Sequence, residues 1–251
     1  MDRIIWPMFS QSAAFWDIGA LVAVLILVAL VKAVWVQRVL GLDVRRPPLD
    51  DPRVFATEYI MVVTLVPAMT WLLARRGQSW QDLGLTLPSG RWSEFGISAL
   101  ALVVALLVLN GALRALARRL QGRPPRSPYE VIAGRWKPWL VMFVYALLFV
   151  GLVEELAFRG FLISRAASLL GGGVNAAFVA SVIVALVFGL LHAGGGLLMA
   201  VNAAAIGAVL SVVYVASGDL TLVVVAHSIF DAIKCTLYFL RPSRRAAAAT
   251  S

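Results

Sequence analysis

The sequence predicts an all-α fold: a polytopic transmembrane helical bundle of about seven spans, or eight if one stretch is a re-entrant or interfacial helix. Three observations predict it. Of 251 residues, 61% are hydrophobic and only 14% are charged, against about 45–50% and about 25% in soluble domains. A water-facing surface needs more polar residues than this chain supplies. Apolar stretches of about 20 residues recur along the chain, the length that a bilayer core of about 30 Å demands of a helix. The arginines gather in short segments between those stretches, as topology-setting loop charges do. The net charge of +9 therefore does not point to nucleic acid, which would call for one exposed basic stripe.

In chain order the spans read Phe15–Val36, Val54–Leu73, Phe95–Ala115, Trp139–Ile163, Val174–Leu191, Leu197–Val215 and Leu220–Leu240. Gly41–Arg53 is a basic loop with Arg45 and Arg46 followed by Pro47 and Pro48. Arg75–Arg91 reads as an interfacial stretch, with Trp80, Leu83 and Leu85 among polar residues and Pro88 ending it. Arg118–Lys137 is too rich in arginine and proline to enter lipid. Gly171–Gly173 and Gly194–Gly196 read as tight turns between close helices, and Arg241–Ser251 as a disordered tail. Seven spans put alternate loops on one side, and most basic residues then share a side with the C-terminus. The positive-inside rule places that side in the cytoplasm. The single cysteine, Cys235, excludes an intramolecular disulfide and a cysteine-built metal site. No repeat or pair of interrupted helices marks an inverted-repeat transporter.

Ionisable groups inside a span cost roughly 2.5–3.5 kcal/mol at the helix centre on insertion scales, so each needs a reason. Asp17, Lys32 and Glu58 lie toward the ends of the first two spans, where snorkelling or a structural pair accounts for them. The second half differs. Glu154, Glu155, Arg159, His192, His227 and Asp231 include both histidines of the chain. Residues four apart lie about 40° apart around a helix, so Glu155 and Arg159 pair on one face while Glu154 points about 100° away. His227 and Asp231 share the same spacing.

That pattern divides the labour. Glu154 with His192 polarises a water, the carboxylate taking its proton as general base. His227 and Asp231 stabilise the negative charge that builds on a carbonyl oxygen, Asp231 either protonated or acting through His227. Glu154, His192, His227 and Asp231 are also the set that would hold a divalent metal, although HExxH is absent and none is required. Two other readings stay open: a proton-coupled transporter using these groups as a relay, and a non-catalytic immunity or scaffold protein.

The motifs carry a resemblance. Glu154-Glu155-Leu156-Ala157-Phe158-Arg159 resembles the EExxxR motif of the CAAX protease and bacteriocin-processing family of intramembrane endopeptidases, Phe188–His192 its FxxxH, and His227–Asp231 its HxxxN or HxxxD, in the family order. The likeness covers about residues 136–240, so the chain divides into N-terminal helices and basic loops (1–135), a catalytic core (136–240) and a tail (241–251). It implies a cavity holding Glu154 as the water-activating glutamate, His192 as its partner and His227 with Asp231 as the oxyanion pair. Glu155, Arg159 and Phe188 are then supporting residues. Asp231 departs from the Asn of the best-studied prenyl-protein proteases. The implied partners are the lipid bilayer and a membrane-associated peptide or protein substrate. Short loops and an Ala/Arg/Val-rich chain point to a multi-pass protein of a bacterial inner membrane, where a prenylated substrate is not expected.

Overall fold

A computed structural model describes residues 10–39, 41, 58–121, 129 and 132–241, and these contain helices and no strand. The connection 42–57, most of 122–131 and the tail 242–251 lie outside the described residues, as do residues 1–9 and the side chain of Glu58.

Seven helical rods follow one another among the described residues. They are α1 (Gln11–Val34, continued by a π-helical turn Trp35–Val39), α2 (Glu58–Ala74), α3 (Trp92–Gln121), α4, α5 (Gly173–Leu191), α6 (Leu197–Ser217) and α7 (Leu220–Phe239). The rod α4 is a composite in which α-helical Trp136–Tyr145, Gly151–Glu155 and Ser164–Leu169 alternate with π-helical Ala146–Val150 and Leu156–Ile163. Every expected span has its helix. Five of them, α1, α3, α5, α6 and α7, are long and apolar enough to cross a membrane. Of the other two, α2 has only 17 residues, and α4 carries Glu154, Glu155, Arg159 and Arg165. The chain is a multi-pass membrane protein.

The helix surfaces are apolar all round, as lipid-facing helices are. Trp16, Ile26 and Leu30 on α1, Ile97 and Leu100 on α3, and Val182 and Leu190 on α5 all face outward. Inward, small residues let backbones approach. A methyl group on Gly189 of α5 would stand 2.7 Å from the carbonyl oxygen of Ala200 on α6, so the α5–α6 hairpin depends on that glycine. The turns at Gly171 (φ 98°) and Gly196 (φ 98°) use left-handed backbone, which glycine adopts without a Cβ clash.

The stretch 75–91 packs against the bundle through one buried residue. A 3-10 turn, Gln81–Leu83, folds back over the end of the bundle and buries Leu83. The Tyr214 hydroxyl donates to the Leu83 carbonyl (3.0 Å), Leu220 N–H to the Gly84 carbonyl (3.0 Å) and the Thr221 hydroxyl to the Thr86 carbonyl (2.8 Å). These bonds satisfy polar groups that lipid would leave bare, which explains why the segment clasps the α6–α7 turn.

At the same end, Asp17 of α1 accepts from Arg76 (3.0 Å) and from Arg165 of α4 (3.2 Å). Asp17 and Arg165 are both fully buried. The acid in the first span is a structural clamp between α1, α4 and the start of the clasp, as its position in the sequence implied.

Candidate functional site

Glycine brings α4 and α7 together. A Cβ on Gly151 would overlap the Ser228 hydroxyl and stand 2.9 Å from Ser228 Cα, so only glycine allows the approach. Glu154 and Glu155 follow within one turn, at the boundary where α4 widens into its second π-helical segment. Such insertions are frequent at functional sites because they re-aim side chains.

The two glutamates face different surroundings. Glu155 is wholly buried and its Oε1 accepts from two donors, Arg159 Nη1 at 2.8 Å and His227 Nδ1 at 2.7 Å. Arg159 in turn donates to the Gly207 carbonyl (3.0 Å) and lies over the Phe188 ring, 4.9 Å from its centroid. The expected Glu155–Arg159 pair is therefore present, and it carries a third member that spacing alone did not predict: α7's His227. Glu154 is only partly buried and lines a cavity of about 190 Å³.

His192 ends α5 with its Nδ1 2.8 Å from the Phe188 carbonyl. A carbonyl only accepts, so Nδ1 carries the proton and a neutral ring keeps its lone pair at Nε2. Phe188 is buried between Phe158 (edge-on, centroids 4.9 Å apart) and the His192 ring (4.5 Å), which accounts for a large apolar residue one turn before the histidine. On α7, Asp231 Oδ2 is 3.5 Å from His227 Nε2, while Asp231 Oδ1 accepts from Lys234 at 2.7 Å. An aspartate held by an ammonium at that distance is an acceptor, not a donor.

Glu154, His192, His227 and Asp231 all line this one cavity, from α4, α5 and α7. Among the predicted supporting residues Phe188 also lines it, while Glu155 and Arg159 stand behind its wall. Five further polar lining residues escaped the reading of the sequence: Asn110 and Arg114 of α3, Tyr129, Asn202 of α6 and Lys234. Lys234 had a signal, its position three residues after Asp231 in an apolar span. Asn110 and Asn202 had a weaker one, as amides inside spans. Arg114 had the appearance of a loop charge at a span end. The lining residues lie in the later parts of α3, α5 and α7 and at the start of α6, so the cavity sits in the half of the bundle that holds the α5–α6 turn at 192–196.

Residues 136–233 match the type II CAAX prenyl endopeptidase Rce1-like family. That segment is similar to the CAAX proteases. No curated protein and no solved structure matches the chain.

The matched segment contains Glu154, Glu155, Arg159, His192, His227 and Asp231. Lys234 is the next residue but one after Ala232 and falls just past its end, and α3 with Asn110 and Arg114 lies outside it. Among the described residues no three His, Cys, Asp or Glu side chains are grouped as the ligands of an ion would be. Of the carboxylates near the cavity, Glu155 is engaged by Arg159 and His227, and one oxygen of Asp231 by Lys234.

Proposed function

We propose that this protein is a CAAX protease that cleaves a peptide bond of a membrane-associated protein or peptide with water activated by Glu154. One observation carries the reading: Glu154, His192, His227 and Asp231 converge on a single cavity from three helices. In this mechanism water is held between the Glu154 carboxylate and the bare Nε2 of His192. Glu154 takes one proton as the oxygen attacks the scissile carbonyl carbon. Collapse of the tetrahedral intermediate breaks the C–N bond, and Glu154 returns the proton to the leaving amine.

The oxyanion needs donors fixed in advance. His227 already gives its Nδ1 proton to Glu155, so donation from Nε2 requires the doubly protonated ring. Carboxylates flank that ring on both sides, Glu155 at Nδ1 and Asp231 at Nε2, and they balance its charge. Asp231 thus works through His227 and through Lys234, whose ammonium adds positive charge beside the cavity, and it supplies no hydrogen bond of its own. Arg118 and Arg119 at the end of α3 and Arg135 at the start of α4 lie at the cavity's end of the bundle, so the positive-inside rule directs that end to the cytoplasmic face, here of a bacterial inner membrane.

The test is incubation of purified protein in proteoliposomes with a library of membrane-derived peptides, new termini being read by mass spectrometry. The reading expects cleavage by the wild type and none by Glu154→Ala. Cleavage of the same peptides at the same rate by both would sink it.

A further inference from the structure

The wall of the cavity contributed by α3 and α6 is chemically distinct from the wall carrying Glu154. Asn110 and Arg114 stand four residues apart on α3, hence on one face. Asn202 Nδ2 of α6 donates to Asn110 Oδ1 at 3.1 Å. That bond leaves Asn202 Oδ1 buried beside the cavity without a donor. Buried acceptors in such a state are rare in folded proteins unless a ligand or water completes them. Two cations line the cavity. Lys234 is ion-paired with Asp231. Arg114 is half-buried, its guanidinium carbon 5.7 Å from the Tyr238 ring centroid, and has no carboxylate within ion-pairing distance among the described residues. An arginine that lines a cavity without an ion-pair partner presents a planar fork of donors to an incoming oxyanion.

We infer that Arg114 and the Asn110–Asn202 pair form a substrate-reading subsite, in which Arg114 binds an oxyanion (a carboxylate of the substrate, or the phosphate of a lipid headgroup) and Asn202 Oδ1 accepts a substrate N–H. The inference deepens the hydrolase reading and rests on it for the word substrate. It also gives α3, which lies outside the family-matched segment, a part in specificity. Arg114 is here a positioning residue: it holds the chain so that a peptide bond lies beside Glu154, and takes no part in proton transfer.

The test uses full-length Glu154→Gln protein in detergent micelles, so that binding is read without turnover. The probe is a short fluorescein-labelled apolar peptide bearing one glutamate and an amidated end. Its twins carry glutamine instead, with either an amidated or a free carboxyl end. Fluorescence anisotropy should show a carboxylate-bearing peptide binding about tenfold or more tighter than the neutral twin. Adding Arg114→Gln should erase that difference, Arg114→Lys should keep part of it, and Asn202→Leu should weaken all three peptides alike.

Native mass spectrometry supplies the second arm. Phosphatidylglycerol retained in preference to diacylglycerol, with the preference lost in Arg114→Gln, would assign the oxyanion to a headgroup. Equal binding of all three peptides together with equal retention of both lipids overturns the proposal, and it does so without any substitution at Arg114, whatever the fold of that variant. A preference that survives Arg114→Gln overturns it too. Hydrolysis by the wild type without oxyanion preference would remove only the subsite; preference without hydrolysis would remove only the enzymatic reading.

Discussion

Glu155 Oε1 is shared by Arg159 and His227, at 2.8 Å and 2.7 Å, so one carboxylate oxygen ties α4 to itself and to α7 inside the membrane. The three side chains are almost wholly buried. Removing one member of such a group strands the others, which costs about 3–5 kcal/mol, whereas replacing a whole ion pair with apolar groups of similar size is often neutral.

This separates stability from function. Glu155→Ala should lower resistance to unfolding in sodium dodecyl sulfate by about 3–5 kcal/mol. The double change Glu155→Leu with Arg159→Met should recover most of that loss. Peptide cleavage should remain down by about 10–100-fold in the double variant, because His227 no longer has its orienting carboxylate. Recovery of both stability and cleavage would show that Glu155 has no role in positioning His227.

Asp231 is predicted to tolerate amidation and not truncation. Asn keeps an acceptor for Lys234 and adds a donor toward the oxyanion, so Asp231→Asn should stay within about tenfold of the wild-type rate, equivalent to about 1.4 kcal/mol. Asp231→Leu leaves Lys234 without its partner and should lose about 10²–10³ in kcat. Steady-state kinetics on a cleaved library peptide decide between these outcomes, and equal losses in the two variants would contradict the assigned role.

Gly151 is where α4 meets Ser228 of α7. Gly151→Ala forces a methyl group into that contact and should destabilise the bundle by about 1–3 kcal/mol, measurable by detergent unfolding. An unchanged midpoint would mean that the helices separate more easily than this packing implies.

At the opposite end of the bundle, Asp17→Ala should cost about 3–5 kcal/mol by stranding the buried Arg165 guanidinium. The folded fraction should keep its kcat and KM, because the clamp touches neither the cavity nor its wall. A selective fall in kcat would tie this end of α1 to the chemistry.

Chelation addresses the metal directly. The scheme in which Glu154 activates water without an ion predicts that cleavage persists after prolonged dialysis against EDTA. Loss of activity restored by added zinc would overturn the water-activation scheme in its metal-free form.

Much of the fold was legible because lipid imposes strong rules on sequence: a span must be apolar and long, and a charge inside it must have a cause. Glu155 with Arg159, and the separation of Glu154 from that pair, followed from helical spacing within one rod. The bond from Glu155 to His227 did not, since 72 positions separate them and only the packing of α4 on α7 at Gly151 brings them together. Arg114 resembled a loop charge because Arg118 and Arg119 follow it closely, and its place in the cavity depends on α3 running on through both of them to Gln121. The clasp around Leu83 was hidden for a different reason: its burial depends on backbone carbonyls meeting Tyr214 and Leu220, and hydrogen bonding of that kind leaves no periodic trace.

The central claim is that the carboxylate of Glu154 takes the proton from the attacking water, and the rate of Glu154→Gln tests it most directly. Gln has nearly the same shape but cannot act as a base, and general-base removal costs about 10²–10⁴ in rate. At an unfolding midpoint matching the wild type, kcat on a cleaved peptide should fall by about that factor with little change in KM. A Glu154→Gln enzyme that turns over within about twofold of the wild type would contradict the account.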